Sequence, residues 1–401
     1  IASRLRFSFR RRRDAASCNI GIPMTIIDRY VLTQFIRILC VSFLSLTGLF
    51  VVIDAIGNLD EFLSMGEAGE SVPAVLADYY GPRVLSFFDR TCALLSLIAA
   101  IFVVTWLQRS NELTALMAAG ISKLRVVRPL VYAVGVVALL GVINREMLLP
   151  TVRDDLTRNA QNLDGDRQQT LQPRYDNRTD ILLAGRHTVA RDQRIADPAF
   201  RLPRTFRQFG KQLLAETAYY RAASDQHPSG YLLTGVTQPA DIDTVESAEL
   251  DGRPAILTAR DAPWLKPGEC FVASDISFEQ LAAGKAWKQF SSSLELIRGL
   301  HSPSHDFGAD VRVTVHARFV QPLLDVTLLF LGLPLVLAGE NRNIFVATGK
   351  CLLMVAGFFL VILTCHALGS NYLVRPALAA WLPLLVFGPI AYGLCGAINR
   401  K

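Results

Sequence analysis

Apolar residues gather at the two ends of the chain, in six runs that carry no charge along their length. Ile38–Ile53 is bounded by Arg37 and Asp54, Thr91–Gln108 by Arg90 and Arg109, and Pro129–Asn144 by Arg128 and Arg145. Toward the C-terminus, Val326–Gly339 lies between Asp325 and Glu340, with Phe319–Leu324 extending it upstream. Cys351–Val374 lies between Lys350 and Arg375, and Pro376–Asn399 between Arg375 and Arg400. Crossing a bilayer takes about 20 apolar residues. The last two runs reach that unaided; the others reach it when flanking residues tilt or snorkel. The pattern predicts six membrane-spanning helices, three on each side of a polar middle.

The middle, Thr151–Val311, has a different rhythm: short alternating runs between turn residues. Asp180–Ala184, Leu213–Tyr220, Gly230–Thr234, Ala255–Thr258 and Cys270–Ala273 read as strands, and Asp251-Gly252 and Pro267-Gly268 as turns between them. These predict an all-β sandwich or jelly roll, with a helical stretch from Ser292 to Ile297 leading back to the membrane. The fold class is then a membrane α-helical bundle of six transmembrane helices with an inserted all-β domain, a sandwich or jelly roll. Residues 24–150 carry spans one to three, 151–312 the β domain and 313–401 spans four to six.

Charge placement orients these parts. Asp54 to Asp78 holds six acids and no Lys or Arg, whereas the next loop carries Arg109, Lys123, Arg125 and Arg128 against Glu112 alone. The positive-inside rule puts the second loop and both termini in the cytoplasm, and the first loop and the middle domain outside. Composition agrees: 19% charged residues and a mean hydropathy of +0.32 argue against a purely soluble or disordered chain. The formal charge of +6 is mostly a topology signal, so no nucleic-acid partner is expected.

Residues 1–23 form an Arg-rich extension ahead of Met24, where a clean amphipathic stretch begins at Ile26. Translation is expected to start at Met24.

Catalytic chemistry is missing from the sequence. Gly349-Lys350 is followed by Cys351 and lacks the upstream glycine of a phosphate-binding loop. His301 and His305 are separated by Pro303, which points to loop residues rather than a metal pair. His366, inside the fifth run, suits a hydrogen-bonded residue of the bundle better than a relay or ligand. Only Cys270 of the seven cysteines falls in the β domain, so no disulfide framework exists there. No enzyme activity, cofactor or metal site is expected, and energy for any work must come from elsewhere.

One loop could receive that energy. In Ser110–Ser122, Ser110 or Asn111 can cap a helix, Glu112 suits its positive end and Gly120 can stop it in the left-handed conformation. Leu113, Leu116 and Met117 share a face, and Ala115, Ala118 and Ala119 allow close approach. A knob docking in a partner's groove and an amphipathic helix lying on the membrane both fit this pattern.

Glu112-Leu113-Thr114-Ala115-Leu116 with Ala119-Gly120-Ile121-Ser122 resembles the coupling helix of the LptF/LptG permeases, membrane subunits of the lipopolysaccharide-exporting ABC transporter. Ile27-Asp28-Arg29-Tyr30, Gly57–Phe62, Glu146 with Pro150, Arg318 with Pro322 and Pro334, and Leu378–Pro383 resemble other family motifs, in the family's order. The middle domain resembles it mainly at Leu214–Tyr219. The resemblance implies six spans around a periplasmic β-jelly roll in the bacterial inner membrane. It implies a lipopolysaccharide or related glycolipid substrate, a cytoplasmic ABC ATPase dimer seated on the 110–120 helix, a second permease subunit (unlike or alike), and a periplasmic jelly-roll bridge protein.

Lipid phosphates need cations near the outer membrane face. Arg83, Arg90, Arg145, Arg153, Arg312, Arg318 and Arg375 are placed there, and Arg90 and Arg318 lie closest to span interiors. Asp54, Asp89 and Asp325, at span edges, are candidates to pair with Arg90 or Arg318. Two competing readings remain: a non-transporting signalling or assembly protein whose outer domain binds a ligand or partner, and an ABC permease for lipoproteins or small solutes. N-terminal sequencing of the native protein is expected to begin at Met24; peptides from Ala2 to Pro23 would refute that start.

Overall fold

The computed structural model describes residues 25–67, 71–157, 169–189, 192–224, 227–282, 285–304, 307–337 and 344–399. The extension 1–23 and the expected start at Met24 lie outside them. The first part comprises α1 (Ile26–Gly57), α2 (Leu59–Glu67), α3 (Val72–Arg109), α4 (Glu112–Ala118), α5 (Lys123–Ile143), a π-helical turn at Asn144–Leu148, α6 (Leu149–Thr151) and α7 (Arg153–Thr157). Among the described residues, six helical segments are long and apolar enough to cross a membrane: α1, α3, α5 through α6, and the later α11 (Ala309–Leu337), α12 (Ile344–Ser370) and α13 (Pro376–Asn399). The three-plus-three arrangement is present.

The first helix starts where its sequence says it should. Thr25 and Asp28 form a reciprocal capping box, each side chain accepting the other's backbone N–H. Asp28 also holds Arg125 at 3.0 Å, which ties the start of α1 to the start of α5. The bundle core joins Val31 and Phe35 of α1, Leu97 and Val103 of α3, Leu130 of α5, Leu324 and Leu328 of α11, Phe358 of α12 and Phe387 of α13. The hub is α11: 67% of its most apolar stretch is buried, against 6% for α1. Gly332 permits this closeness, since a Cβ there would sit 2.6 Å from the Leu97 side chain.

Between the two sets of spans lies the β domain: β1 (Gln169–Thr170), β2 (Arg174–Asp176), β3 (Ile181–Leu183), β4 (His187–Val189), β5 (Arg194–Ala196), β6 (Ala199–Arg201), β7 (Gln212–Arg221), β8 (Gly230–Gln238), β9 (Ala248–Leu250), β10 (Arg253–Thr258) and β11 (Cys270–Ala273). The described strands pair antiparallel in the order β1-β4-β5-β7-β8-β11-β10-β9, with β2, β3 and β6 branching from β7. The branch makes the curvature: the first half of β7 pairs with β6, its second half with β5, and its other side with β8 along most of its length. The result is a half-barrel closed over one apolar core, in which Ile181, Ile195, Phe200, Leu213, Tyr231, Leu233, Ile256 and Val272 are buried. The five expected strands are all present, as β3, β7, β8, β10 and β11. Asp251 and Gly252 both take positive φ and pair Leu250 with Arg253, the backbone a tight two-residue hairpin turn requires. Three short helices, α8 (Phe278–Ala282), α9 (Lys285–Phe290) and α10 (Ser293–His301), return the chain to the membrane. His301 is the last residue of α10 rather than a loop residue, because its ring bonds the Ile297 carbonyl one turn back. His305 lies outside the described residues.

Tyr231 is fully buried, packs edge-on against Phe200, and donates its hydroxyl to the Ile276 carbonyl at 2.8 Å. Tyr231→Phe leaves that carbonyl unpaired and is expected to cost about 1–3 kcal/mol. A lowered thermal midpoint of the purified protein, with unchanged membrane insertion, is the expected readout.

Candidate functional site

The bundle has two functional ends, set by topology. The chain reverses through α4 between α3 and α5, and α5 then rises about 30 Å toward the β domain. The α4 turn therefore sits at the end of the bundle opposite the β domain.

At the α4 end, Ser110 does not cap α4. Its hydroxyl turns back to the Trp106 carbonyl at 3.0 Å and closes α3 instead. Asn111 takes the N-cap position in the left-handed region (φ 58°) and makes no side-chain cap, because that backbone aims its amide away from the first turn. Gly120 adopts φ +84° and ends the loop. Leu113 is buried in the chain's own bundle core, and Leu116 packs partly against it. The apolar face is therefore divided: Leu113 anchors α4, while Thr114, Ala115, Met117 and Ala118 face outward. The half-buried Glu112 lies near the Tyr30 hydroxyl, as do Gln34 and Trp106. The Asp28–Arg125 pair clamps the start of α1 onto the α4–α5 turn, with Tyr30 beside Glu112.

At the opposite end, the cations expected near lipid phosphates divide into engaged and open. Arg145, presented by the π-helical turn, pairs with Asp89 at 2.9 Å, both side chains being less than one-fifth exposed. This corrects the expected pairing of Asp89 with Arg90 or Arg318. Arg90 comes directly after Asp89, and neighbouring helical positions point about 100° apart, so Arg90 faces outward. Asp54 accepts from the Tyr80 hydroxyl at 2.8 Å, and the buried Asp325 accepts from Gln321 at 2.8 Å. Arg318 is only 8% exposed, and its guanidinium donates to the Ser291 and Gln289 carbonyls at 2.6 and 3.1 Å, beside Glu146 at 3.9 Å. Glu146 in turn accepts from the Ser293 backbone N–H and hydroxyl, at 2.7 and 2.6 Å. Arg318 thus serves the carbonyl end of α9 and Glu146 the amide end of α10, the signs each helix end favours. Arg153 joins Glu279 and Glu295, and Arg83 lies over the Tyr79 ring. Arg90, Arg312 and Arg375 are exposed and form no ion pair with any described residue. His366 is half-buried at the margin of the packed face of α12, and no described residue supplies the hydrogen bond expected for it.

Sequence reasoning missed the Glu146–Arg318 joint, the Asp89–Arg145 pair and the placement of Tyr30 beside Glu112. The sequence singled out Glu146, Arg318, Asp89, Arg145, Tyr30 and Glu112 one by one, which named the residues and not their partners.

A family model described as lipopolysaccharide export system permease LptF/LptG matches residues 29–189 and 239–395, most of the chain. The match omits β7, so the middle-domain resemblance at Leu214–Tyr219 draws no support from it. No curated protein matches the chain.

Asp89→Asn strands the Arg145 charge in a partly buried setting and is expected to cost about 2–4 kcal/mol. Thermal melts of Asp89→Arg, of Arg145→Asp and of the exchanged pair that combines them form a double-mutant cycle. The exchanged pair should recover part of the loss; purely additive losses would show that the two side chains do not act as a pair.

Proposed function

The chain belongs to the LptF/LptG family of lipopolysaccharide export permeases, and we propose that it is one of two permease subunits in an ABC transporter that lifts lipopolysaccharide or a related glycolipid from the inner membrane. The observation that carries this reading is the order of parts: a matched family chain with six spans, a β half-barrel between the third and fourth, and a short helix at the far end. In this reading the far end is cytoplasmic and the β domain periplasmic, which the charge distribution of the loops supports.

Each part answers a physical need. A multi-acyl lipid cannot pass through water, because each exposed CH₂ costs about 0.8 kcal/mol. Spans that open sideways to lipid can take the chains in, and a curved apolar sheet can receive them next. Among the described residues β1, β2 and β9 pair on one side only, and a jelly-roll bridge protein can add a strand at such an edge. ATP hydrolysis belongs to a separate ATPase dimer that grips α4 through Met117, Thr114 and the small alanines. Leu113 anchors the helix from within, Leu116 backs it, Glu112 relays its position to Tyr30, and Gly120 fixes the turn. For the substrate's phosphates, Arg90 is retained and Arg312 and Arg375 join it. Arg318 is committed to the joint and is proposed as a structural residue.

Two experiments test the reading. The tagged protein, extracted in mild detergent, should co-purify with an ATPase that Glu112→Ala or Gly120→Leu loses. Absence of any ATPase, even after crosslinking in cells, would favour a signalling or assembly role. Separately, Arg90→Ala combined with Arg375→Ala should slow export with an unchanged thermal midpoint, whereas Arg318→Ala should lower that midpoint. Normal export in the double variant would remove those arginines from the substrate path.

A further inference from the structure

The faces of α1 and α3 part company partway along. At the β-domain end they are zipped by Phe43 and Phe50 of α1 against Phe87 and Phe88 of α3, with ring centroids 5.5–6.3 Å apart. Toward the α4 end they enclose a crevice of about 520 Å³, within the ~300–1,000 Å³ range of sites for small ligands. Its walls are two helical stripes: Tyr30, Gln34, Arg37, Ile38, Val41 and Ser42 on one, and Ile98, Phe102, Val103, Trp106 and Leu107 on the other.

The crevice is amphipathic along its length. Tyr30, Gln34, Arg37 and the Trp106 indole gather at the α4 end, while Ile38, Val41, Ile98 and Phe102 line the remainder. Val41, Ile98, Phe102 and Trp106 are 61%, 42%, 53% and 51% exposed, so the crevice opens sideways to the surroundings of the bundle. Arg37 is exposed, forms no ion pair with any described residue, and stands at the edge of the uncharged run of α1 that begins at Ile38. A cation at such an edge is placed to meet anionic lipid headgroups. Side chains on a helix lean toward its N-terminus, which carries the guanidinium back toward Tyr30 and Gln34. One end of the crevice therefore offers a cation and hydroxyl and amide groups, and the other offers apolar walls.

We propose that this crevice binds one anionic glycerophospholipid of the adjacent leaflet, its phosphate on Arg37 and one acyl chain between Val41 and Phe102. The leaflet is the cytoplasmic one in the orientation proposed above. The site is separate from the substrate arginines at the β-domain end. Because Tyr30 and Trp106 line it and Tyr30 lies near Glu112, a bound lipid braces the start of α1 against the α4–α5 turn. The lipid is a resident of the site and not the exported cargo.

The test uses the full-length protein in nanodiscs of phosphatidylethanolamine with a small fraction of phosphatidylglycerol carrying a photoreactive acyl chain. Labelled peptides are read by mass spectrometry. Label should concentrate on the α1 and α3 segments around Val41, Ser42, Ile98 and Phe102. Arg37→Gln should reduce it about fivefold, the effect of removing one basic group beside anionic lipid, and Arg37→Lys should retain it. Val41→Trp, which fills the crevice and keeps the charge, should also block it. Label at the exposed Leu353 of α12 should be unchanged in every variant and serves as the control for general lipid contact. Equal labelling at both places, or labelling indifferent to Arg37→Gln, would overturn the proposal by showing annular lipid only. Quantitative crosslinking of the Val41→Cys variant to another protein chain would overturn it too, because the crevice would then be a protein interface. None of these readouts depends on transport, so their failure is distinguishable from failure of the permease reading.

Discussion

Glu146 is where the membrane bundle and the β domain become one object. It accepts two hydrogen bonds from Ser293 at the start of α10, while Arg318 beside it takes the carbonyls at the end of α9. Both side chains belong to membrane-spanning segments, and both receive groups from the segment that returns from the β domain. The corner between α9 and α10 would otherwise leave amides and carbonyls unpaired at the membrane boundary, where each costs on the order of a few kcal/mol. The π-helical turn at Asn144–Leu148 contributes by geometry. Its consecutive residues serve different neighbours: Asn144 donates to the Leu85 carbonyl, Arg145 meets Asp89 and Glu146 meets Ser293.

The large features were legible because they rest on long patterns. Six uncharged runs became six helices, and the alternation in Leu213–Tyr220 became β7, the spine of the sheet. The turn at Asp251-Gly252 was legible from two residues, since few others accept positive φ at both positions. The short strands β1, β2, β4, β5, β6 and β9 were not legible. Each has two or three residues, too few for a period to show, and each exists because a neighbour supplies its ladder.

The site was read less well, for a physical reason. Residue type shows that a cation is present but not whether the fold has already used it. Arg318 and Arg90 look alike in sequence, yet one is enclosed by carbonyls and the other is open. Likewise Leu113, Leu116 and Met117 form one apolar face by spacing, but the helix they sit on leans against its own bundle. Its first leucine is therefore an anchor and its methionine a surface.

The solvent around α1 decides which contacts fix it. In lipid, apolar side chains gain little by meeting one another, because the alternative partner is equally apolar. Polar contacts therefore weigh more in placing α1 than its many exposed aliphatic residues do. Asp28 holds Arg125 at one end, where Tyr30 lies near Glu112, while Asp54 takes the Tyr80 hydroxyl at the other. Between these pins α1 packs into the bundle core through Val31 and Phe35, and beyond them mainly through the phenylalanine contacts with α3. A helix pinned at its ends and loosely packed between them can alter its spacing to α3 without breaking a polar contact. The crevice lies in that loosely packed stretch, next to the end where Glu112 lies, so its occupancy bears directly on the position of α4.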